Sequence, residues 1–375
     1  MGNENIVSPD LKFINEVIKG GGESLKRCYQ CATCSVVCNL APDNKPFPRK
    51  EMIYAQWGLK DKLFPNPDIW LCHQCSDCTA YCPRGAKPGE VLNAVRKLSI
   101  EKYSVPSFLG KAVGSPSYLV FLFAIPIVVL LIALATLGNL DLSAIPRGEH
   151  GEIVYAKFMP EIYIEIIYSA IAAFAVLAFV LGIRKYWQDM CRASGIGRPA
   201  DTLGLIISAL KEIFTHKRFE KCNVTKDRKI AHLLVFYSFI GLAVTAGWAV
   251  GYLYLLHYES PYPLSDPVKW LGNLSALALI IGILLVITNR LKNKEKAGSG
   301  GYYDWLFIGI VTVIAATGIL SEIFRLADIA VLAYLTYFIH LAVVFFLFLY
   351  APFSKMAHMV YRTTAMVFAK HAGRE

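Results

Sequence analysis

Residues 118–138 read YLVFLFAIPIVVLLIALATLG and carry no charged side chain. A helix of about 20 apolar residues crosses the ~30 Å hydrocarbon core of a bilayer, so this run predicts a membrane-spanning helix. Similar runs recur and predict six spans in all, at about 118–138, 162–183, 231–256, 268–288, 303–323 and 330–352. Of the 375 residues, 55% are hydrophobic and only 18% are charged, and the mean hydropathy is +0.44. This composition excludes a water-soluble globule and a disordered chain.

The loops between the predicted spans differ sharply in charge. Lysine and arginine are concentrated in three segments, with eleven in 184–230, four in 289–302 and four in 353–375. The intervening loops 139–161, 257–267 and 324–329 hold three together. Because basic loops stay on the cytoplasmic side of a membrane, we expect both chain ends in the cytoplasm, with the spans in the inner membrane. The polar start of the chain, without a signal peptide, agrees with this orientation. The net charge of +10 then needs no nucleic-acid partner.

Residues 203–219 combine apolar and basic side chains at helical spacing. Leu205, Leu210 and Phe214 fall among Lys211 and Lys217, which predicts an amphipathic helix. Such a helix lies flat on a membrane surface or packs on a soluble domain, and the sequence leaves both alternatives open.

Eight of the ten cysteines belong to two copies of one motif, CYQCATCSVVC at 28–38 and CHQCSDCTAYCP at 72–83. Both copies have the spacing C-x2-C-x2-C-x3-C, which is typical of domains with two [4Fe–4S] clusters. Three cysteines on one tight loop bind three irons of a cluster, and the fourth cysteine binds the other cluster. We therefore assign Cys28, Cys31, Cys34 and Cys82 to a first cluster, and Cys72, Cys75, Cys78 and Cys38 to a second.

Zinc is the alternative metal for clustered cysteines, but zinc sites usually use two well-separated C-x2-C pairs. Four cysteines at this close spacing, repeated twice, favour iron–sulfur clusters. The stretch between the motifs contains a helical pattern at 51–60, which predicts an all-helical ferredoxin-like domain. The remaining thiols, Cys191 and Cys222, have no partner nearby in the sequence and are assigned no role.

Four histidines lie in or beside the predicted spans: His232, His257, His340 and His358. A histidine at membrane depth is costly and usually functional, and paired imidazoles between helices hold b-type haem. His340 and His358 are 18 residues apart, or five helical turns, so one helix face can serve two stacked haems. His232 would pair with His358. His257 could pair with His340 only if the third span ended early, near Gly251. The other four histidines are predicted near the cluster ligands (His73) or at the surface (His150, His216 and His371).

Two of these segments resemble haem helices of the respiratory nitrate reductase gamma subunit family. Residues 340–358, HLAVVFFLFLYAPFSKMAH, have the histidine spacing of that family's last haem helix. Residues 230–244, IAHLLVFYSFIGLAV, resemble its other haem helix, with His232 as the cytoplasmic ligand. The family has a further histidine ten residues on, where this chain has Leu242. Lys269 stands where the family has a lysine beside its quinone site.

The cysteine-rich part resembles the small iron–sulfur subunit of heterodisulfide reductases, and the membrane part resembles their cytochrome b subunit. The nitrate reductase-like region covers 160–370, and the span at 118–138 is an extra first helix. We therefore expect an all-α chain with a cytoplasmic two-cluster domain at 1–115 and a six-span haem-binding domain at 116–375. A chain that joins both parts is similar to the C subunits of quinone-interacting membrane-bound oxidoreductase complexes of sulfate reducers.

That resemblance implies the electron-transfer subunit of a quinone-linked membrane oxidoreductase. It implies exchange with menaquinone, two flavin-containing iron–sulfur subunits as cytoplasmic partners, and delivery toward adenylylsulfate reductase. The sequence has no nucleophile–base set and no adjacent cysteine pair, so the redox chemistry would belong to the cofactors. Two alternatives remain open: the membrane module of a heterodisulfide reductase-type complex, and a membrane redox sensor.

Overall fold

The computed structural model describes residues 8–141, 146–197, 199–224, 228–298 and 300–374. Within these ranges every regular element is a helix, which confirms the predicted all-α fold class. Arg198 and Lys226, which belong to the basic segment 184–230, lie outside the described residues.

The first α-helices among the described residues are short or of medium length: α1 (Leu11–Lys19), α2 (Thr33–Val36), α3 (Arg49–Gln56), α4 (Lys60–Leu63), α5 (Asp68–Leu71), α6 (Asp77–Ala80), α7 (Pro88–Tyr103) and α8 (Ser107–Val113). The later ones are α9 (Leu119–Leu137), α10 (Tyr155–Phe158), α11 (Glu161–Ser194), α12 (Thr202–Thr215), α13 (Arg228–Leu256), α14 (Pro267–Lys292), α15 (Lys294–Ala297), α16 (Tyr302–Leu326), α17 (Ala330–Tyr350) and α18 (His358–His371). Single 3-10 turns occur at Leu25–Arg27, Pro116–Tyr118, Lys217–Lys221, Ala351–Phe353 and Lys355–Ala357.

Six helical segments in the described ranges are long and apolar enough to cross a membrane: Pro116–Leu137, Glu161–Ser194, Arg228–Leu256, Pro267–Lys292, Tyr302–Leu326 and Ala330–Phe353. They coincide with the six predicted spans, which are thereby confirmed. The second span is longer than predicted, because α11 continues as one helix and buries Tyr186 and Met190 against the cysteine-rich part. α13 continues through Gly251 to Leu256, as the predicted span 231–256 requires, so the early end that pairing of His257 with His340 would need does not occur.

The spans pack as a bundle in which α17 contacts α9, α11 and α16. α16 also packs on α14, and α14 lies along α13. Their close approach depends on Gly282, because a Cβ there would lie 3.0 Å from Cβ of Leu234. We call the end of the bundle that adjoins the cysteine-rich part the domain end, and the opposite end the far end. The described residues of the three basic segments all lie at the domain end.

The cysteine-rich part is built from short helices around a common core. Its core includes Phe13 and Trp70, and α7 packs on α1, α3 and α8. The single helix predicted between the two motifs is instead two helices, α3 and α4, separated at Gly58, whose φ is 67°. α18 returns from the bundle and packs on α5, α11 and α12, and the ring of Tyr361 stacks on Trp70 with centroids 5.4 Å apart. α18 therefore joins the membrane bundle to the cysteine-rich part.

The amphipathic helix predicted after the second span is α12. Ala209 is fully buried, and Ile213 packs on the core that includes Cys72. The burial of this face confirms the alternative in which the helix packs on the cysteine-rich part. Leu203 and Ile207 on the other side are 69% and 57% exposed. Contact of that exposed side with a membrane surface stays a prediction.

Candidate functional site

The two copies of the cysteine motif fold into the same tight loop. Gln30 and Ala32 in the first copy have φ of 60° and 69°, and the corresponding Gln74 and Ser76 have φ of 53° and 68°. Non-glycine residues rarely adopt positive φ, so the shared pattern is a structural repeat as well as a sequence repeat. Left-handed residues of this kind turn backbone N–H groups toward one side of a loop, where they favour negative charge.

The first group of thiols consists of Cys28, Cys31 and Cys34 from one loop and Cys82 from the other motif. Burial, and then the charges of its three neighbours, raises the pKa of the Cys34 thiol to about 12. Four thiolates repel one another at such a site, so cations must compensate their charge before all can ionise. Cys31 is exposed, which places this group at the surface of the cysteine-rich part.

The second group consists of Cys72, Cys75 and Cys78 from the second loop and Cys38 from the first motif. Burial, and then the charges of Cys72, Cys75 and Cys38, raises the pKa of the Cys78 thiol well above its ordinary value. Cys72 and Cys78 are buried, so this group lies deeper than the first. The structure thus brings the eight cysteines together in the two crossed groups assigned from the spacing.

The arrangement of donors bears on the choice between zinc and iron–sulfur clusters. Within the described part of the chain, no three His, Cys, Asp or Glu donors converge on a position for a single ion. A zinc site needs four donors within about 2.0–2.3 Å of one point. An iron–sulfur cluster instead takes its four cysteines at separate irons.

Cys222, to which the sequence assigned no role, is 2% exposed and lies against the second group. A hydrogen bond with the Cys222 thiol, followed by burial, raises the pKa of the Cys75 thiol. The segment that carries Cys222 is fastened to the second loop, because Asp77 accepts hydrogen bonds of 3.0 and 2.8 Å from the backbone N–H groups of Asn223 and Val224. Cys222 could not be found from sequence spacing, because 140 or more residues separate it from the second loop.

A cavity of about 990 Å³ lies at the domain end, between the cysteine-rich part and the bundle. His232 of α13 and His358 of α18 both line it. The Nδ1 atom of His358 donates a 2.6 Å hydrogen bond to the carbonyl oxygen of Lys355, which leaves Nε2 free to bind a metal. Burial lowers the pKa of His358 to about 4, so its ring is neutral, as an iron ligand must be.

A third histidine supports His232. Nε2 of His216 lies 3.0 Å from Nδ1 of His232, and Nδ1 of His216 lies 3.4 Å from the carbonyl oxygen of Phe214. This geometry assigns a proton to Nδ1 of each ring, so His232 donates to His216 and its own Nε2 is free. His216 is only 5% exposed, so its predicted surface position is wrong. The one available signal was its place at the end of an amphipathic helix.

Phe219 connects the second cysteine loop to the histidines of the cavity. Its ring centroid lies 4.9 Å from that of His73, which stands between two cysteines of the loop. The same ring lies 5.2 Å from His232 and 5.4 Å from His216. The cysteine-rich part and the candidate haem ligand are therefore joined by direct ring contacts.

The structure places the other two predicted haem ligands apart. Nδ1 of His340 in α17 lies 3.1 Å from Oγ1 of Thr317 and 3.2 Å from the carbonyl oxygen of Ile314, both on α16. Gly318 makes room for this ring, because a Cβ there would lie 3.1 Å from its Cε1 atom. His257 follows the last residue of α13 at the far end and is exposed. Nδ1 of His340 therefore has hydrogen-bonding partners on α16, but His257 does not lie beside His340.

Lys269, the predicted quinone-site residue, lies at the start of α14. Its Nζ atom is 3.0 Å from Oε1 of Glu322, near the end of α16. Both side chains are partly buried at the far end of the bundle. An ion pair at this position stabilises two charges beside lipid and places a proton donor next to a proton acceptor.

Comparisons with known proteins define the class of this chain. Residues 24–86 match the 4Fe-4S dicluster domain, and residues 117–375 match the family described as Citrate utilization protein B. With its six apolar helices, the chain is a multi-pass membrane protein that carries an iron–sulfur dicluster domain. It belongs to the citrate utilization protein B family, whose match covers more than half of its length. No solved structure matches the chain.

Three relatives illustrate the two parts. Citrate utilization protein B of Escherichia coli is 27% identical over 316 residues, 79% of this chain and 80% of the relative. A protein of Archaeoglobus profundus described as like the C subunit of heterodisulfide reductase is 40% identical over 98 residues, 26% of this chain and 52% of the relative. The E subunit of the dihydromethanophenazine:CoB–CoM heterodisulfide reductase of Methanosarcina thermophila is 23% identical over 145 residues, 37% of this chain and 53% of the relative. The chain thus spans about half the length of these last two relatives. Similarity to both the C and the E subunits of such enzymes confirms the expected fusion of two heterodisulfide reductase-like parts.

Proposed function

We propose that this chain is a membrane electron-transfer subunit that connects a quinone pool to partner proteins at its domain end. The observation that carries the proposal is the contact of the Phe219 ring with both His73 and His232. These contacts link a cysteine loop suited to an iron–sulfur cluster with a cavity suited to haem. Redox centres in such close packing exchange electrons, and the protein supplies their spacing and their surroundings.

His232 and His358 would hold the iron of a b-type haem in the cavity. Bound haem supplies reversible one-electron redox chemistry there. The chain contributes two neutral imidazoles, each with its Nδ1–H engaged, by His216 in one case and by the carbonyl of Lys355 in the other. A second haem at His340 remains part of the prediction and rests on the 18-residue spacing of His340 and His358, although His257 lies beyond the end of α13 and not beside His340.

The two iron–sulfur clusters then have different neighbours. His73 follows Cys72 directly and contacts Phe219, so a cluster bound by the second group would lie next to the cavity proposed for haem. The first group has the exposed Cys31, and Tyr29 and Val36 beside it are 67% and 82% exposed. The second group of thiols would therefore hold its cluster on the side of the haem cavity, and the first group would hold its cluster on the side open to a partner.

At the far end, the Lys269–Glu322 pair is the proposed contact for menaquinone or menaquinol. Lys269 can donate a hydrogen bond to a quinone oxygen, and Glu322 can accept a proton when quinol is oxidised. With the basic segments in the cytoplasm, the partners would be two flavin-containing iron–sulfur subunits, and the final acceptor would be adenylylsulfate reductase in sulfate respiration. The chain would then lie in the inner membrane with both ends in the cytoplasm.

A second candidate function is the membrane module of a heterodisulfide reductase-type complex. The similarity to the C and E subunits of such enzymes favours it. The sequence contains no adjacent cysteine pair, so cleavage of a disulfide would belong to a partner protein. The electron path through this chain would be the same in both cases.

The test is to purify the chain with its partners from membranes and to count its cofactors. We expect about eight irons and eight acid-labile sulfides per chain, together with b-type haem in the pyridine haemochrome spectrum. A menaquinol analogue should reduce both the haem and the clusters. A colourless preparation with zinc in place of iron would contradict the proposal. Reoxidation by an adenylylsulfate reductase or by a heterodisulfide, in separate assays, distinguishes the two candidate functions.

A further inference from the structure

Among the arginines that line the cavity, three come from three different elements and act electrostatically on one another. Arg96 comes from α7, Arg218 from the turn after α12, and Arg362 from α18. Arg362 lies four residues after His358, so both side chains are on the same face of α18. Burial, and then the charges of Arg96 and Arg218, lowers the pKa of Arg362 to about 9. Three guanidinium groups this close together need negative charge nearby.

The described acids do not supply that charge to Arg362. The charge of Glu212 acts on Arg362, but Glu212 is already paired with Arg218 and, at 3.5 Å, with Lys370. Arg96 donates instead to the backbone carbonyl oxygens of Ile69 and Cys72. Among the described residues, the guanidinium of Arg362 forms no hydrogen bond and no ion pair, although it lines the cavity.

His73 is a second, independent indication of a missing ligand. Both nitrogens of its ring are buried, and neither has a hydrogen-bond partner in the described part of the chain. His73 lines the same cavity as Arg362. Buried polar nitrogens are nearly always satisfied, so an acceptor belongs at this position. A carboxylate would satisfy both Arg362 and His73, because it accepts hydrogen bonds from a guanidinium and from an imidazole N–H.

We propose that Arg362 and His73 form a carboxylate-binding site, and that its ligand is a propionate group of the haem held by His232 and His358. The inference rests on the proposed haem site and adds its orientation. The propionate edge would face His73 and therefore the second cluster, and the rest of the haem would face the bundle. Arg96 and Arg218 would add positive charge around the same carboxylate.

The test uses the full-length chain in detergent, stripped of haem and reconstituted with either haem or haem dimethyl ester, which has no carboxylate. We expect the wild type to bind the ester about tenfold or more weakly than haem, which matches the loss of one charge-assisted hydrogen bond. Arg362→Gln should bind haem about as weakly as the wild type binds the ester. Arg362→Lys should keep most of the affinity. Arg192→Gln, an exposed arginine on α11, is the matched control.

The haem midpoint potential gives a readout that does not depend on activity. Loss of a positive charge beside the haem favours the ferric form, so Arg362→Gln should lower the potential and His73→Leu should lower it less. Equal binding of haem and its ester by the wild type would overturn the carboxylate site. A potential shift confined to the second cluster would also overturn it, because Arg362 would then serve Cys72 instead. Absence of haem from the wild type would overturn the proposed haem site itself, a result separate from either of these.

Discussion

Nε2 of His216 lies 3.0 Å from Nδ1 of His232, and this contact decides which nitrogen of His232 faces the cavity. His216 ends α12 with φ of 51°, a conformation that non-glycine residues adopt only when their surroundings hold them. α12 is itself packed on α18, which carries His358. The packing of α12 on α18 therefore bears on both candidate haem ligands. His216 follows α12 and supports His232, and α18 carries His358.

Replacing His216 tests this support. His216→Leu removes the acceptor for Nδ1–H of His232, so haem affinity should fall by about 10–100-fold, the usual loss when a metal-ligating histidine loses such a partner. His216→Gln keeps a side-chain carbonyl and should restore most of that affinity. Haem content and the electron paramagnetic resonance spectrum of the ferric state report the effect. His150→Leu, at an exposed histidine, is the control. If His216→Gln lost all haem, His216 would be an iron ligand rather than a support for one.

Phe219 should govern the rate of electron transfer between the haem and the second cluster. Phe219→Leu opens a gap between His73 and His232, and we expect cluster reduction to slow several-fold after a pulse of quinol. Haem and iron contents should stay unchanged. Stopped-flow absorbance at the haem and cluster bands measures the rate. Phe214→Leu, a partly exposed phenylalanine of the same segment, should have no effect. Equal rates in both variants would show that electrons take another route.

Cys222 should raise the midpoint potential of the second cluster. With Cys75 bound to iron as a thiolate, the Cys222 thiol would donate the hydrogen bond that joins the two sulfurs and would stabilise the reduced, more negative cluster, so Cys222→Ala should lower the midpoint potential of that cluster only. A redox titration followed by electron paramagnetic resonance separates the two clusters. Cys191→Ala is the matched control in the same basic segment. Loss of one whole cluster from Cys222→Ala would instead make Cys222 a ligand.

The Lys269–Glu322 pair should matter for quinol oxidation and not for haem binding. Lys269→Gln removes the positive charge and leaves Glu322 without its ion-pair partner, so quinol oxidation should fall about tenfold or more. The double variant Lys269→Gln, Glu322→Gln removes the unpaired charge and should recover protein yield but not activity. Lys157→Gln, at an exposed position near the far end, controls for the change of net charge. Normal quinol oxidation in the double variant would exclude the pair from the quinone site.

The spans and the cysteine groups could be predicted because both depend on local patterns. An apolar run of membrane length predicts a helix by itself. The duplicated cysteine spacing predicts both sets of cluster ligands, because all eight cysteines lie in two short loops. The ends of the spanning helices depend less on local patterns. α11 runs on to Ser194 because its last turns find a second partner in the cysteine-rich part, which no local pattern reveals.

The residues that the sequence did not reveal all act on a residue of a different structural element. His216 meets His232 because the 3-10 turn at Lys217–Lys221 folds the chain back, and Cys222 meets Cys75 because Asp77 holds the intervening backbone. Spacing arguments work along a single helix, as for His340 and His358. The predicted third span, 231–256, also placed His257 beyond the end of α13, and the structure agrees.

The exchange of Cys38 and Cys82 between the two loops also constrains how the cofactors are inserted. Each loop on its own offers three thiols, and the fourth arrives only when the other loop has folded beside it. With the ligand sets proposed here, neither half of the cysteine-rich part would bind a complete cluster alone, so the machinery that delivers iron and sulfide would have to meet a chain in which both loops are already paired. A defect in either loop would then leave an empty protein rather than a half-filled one.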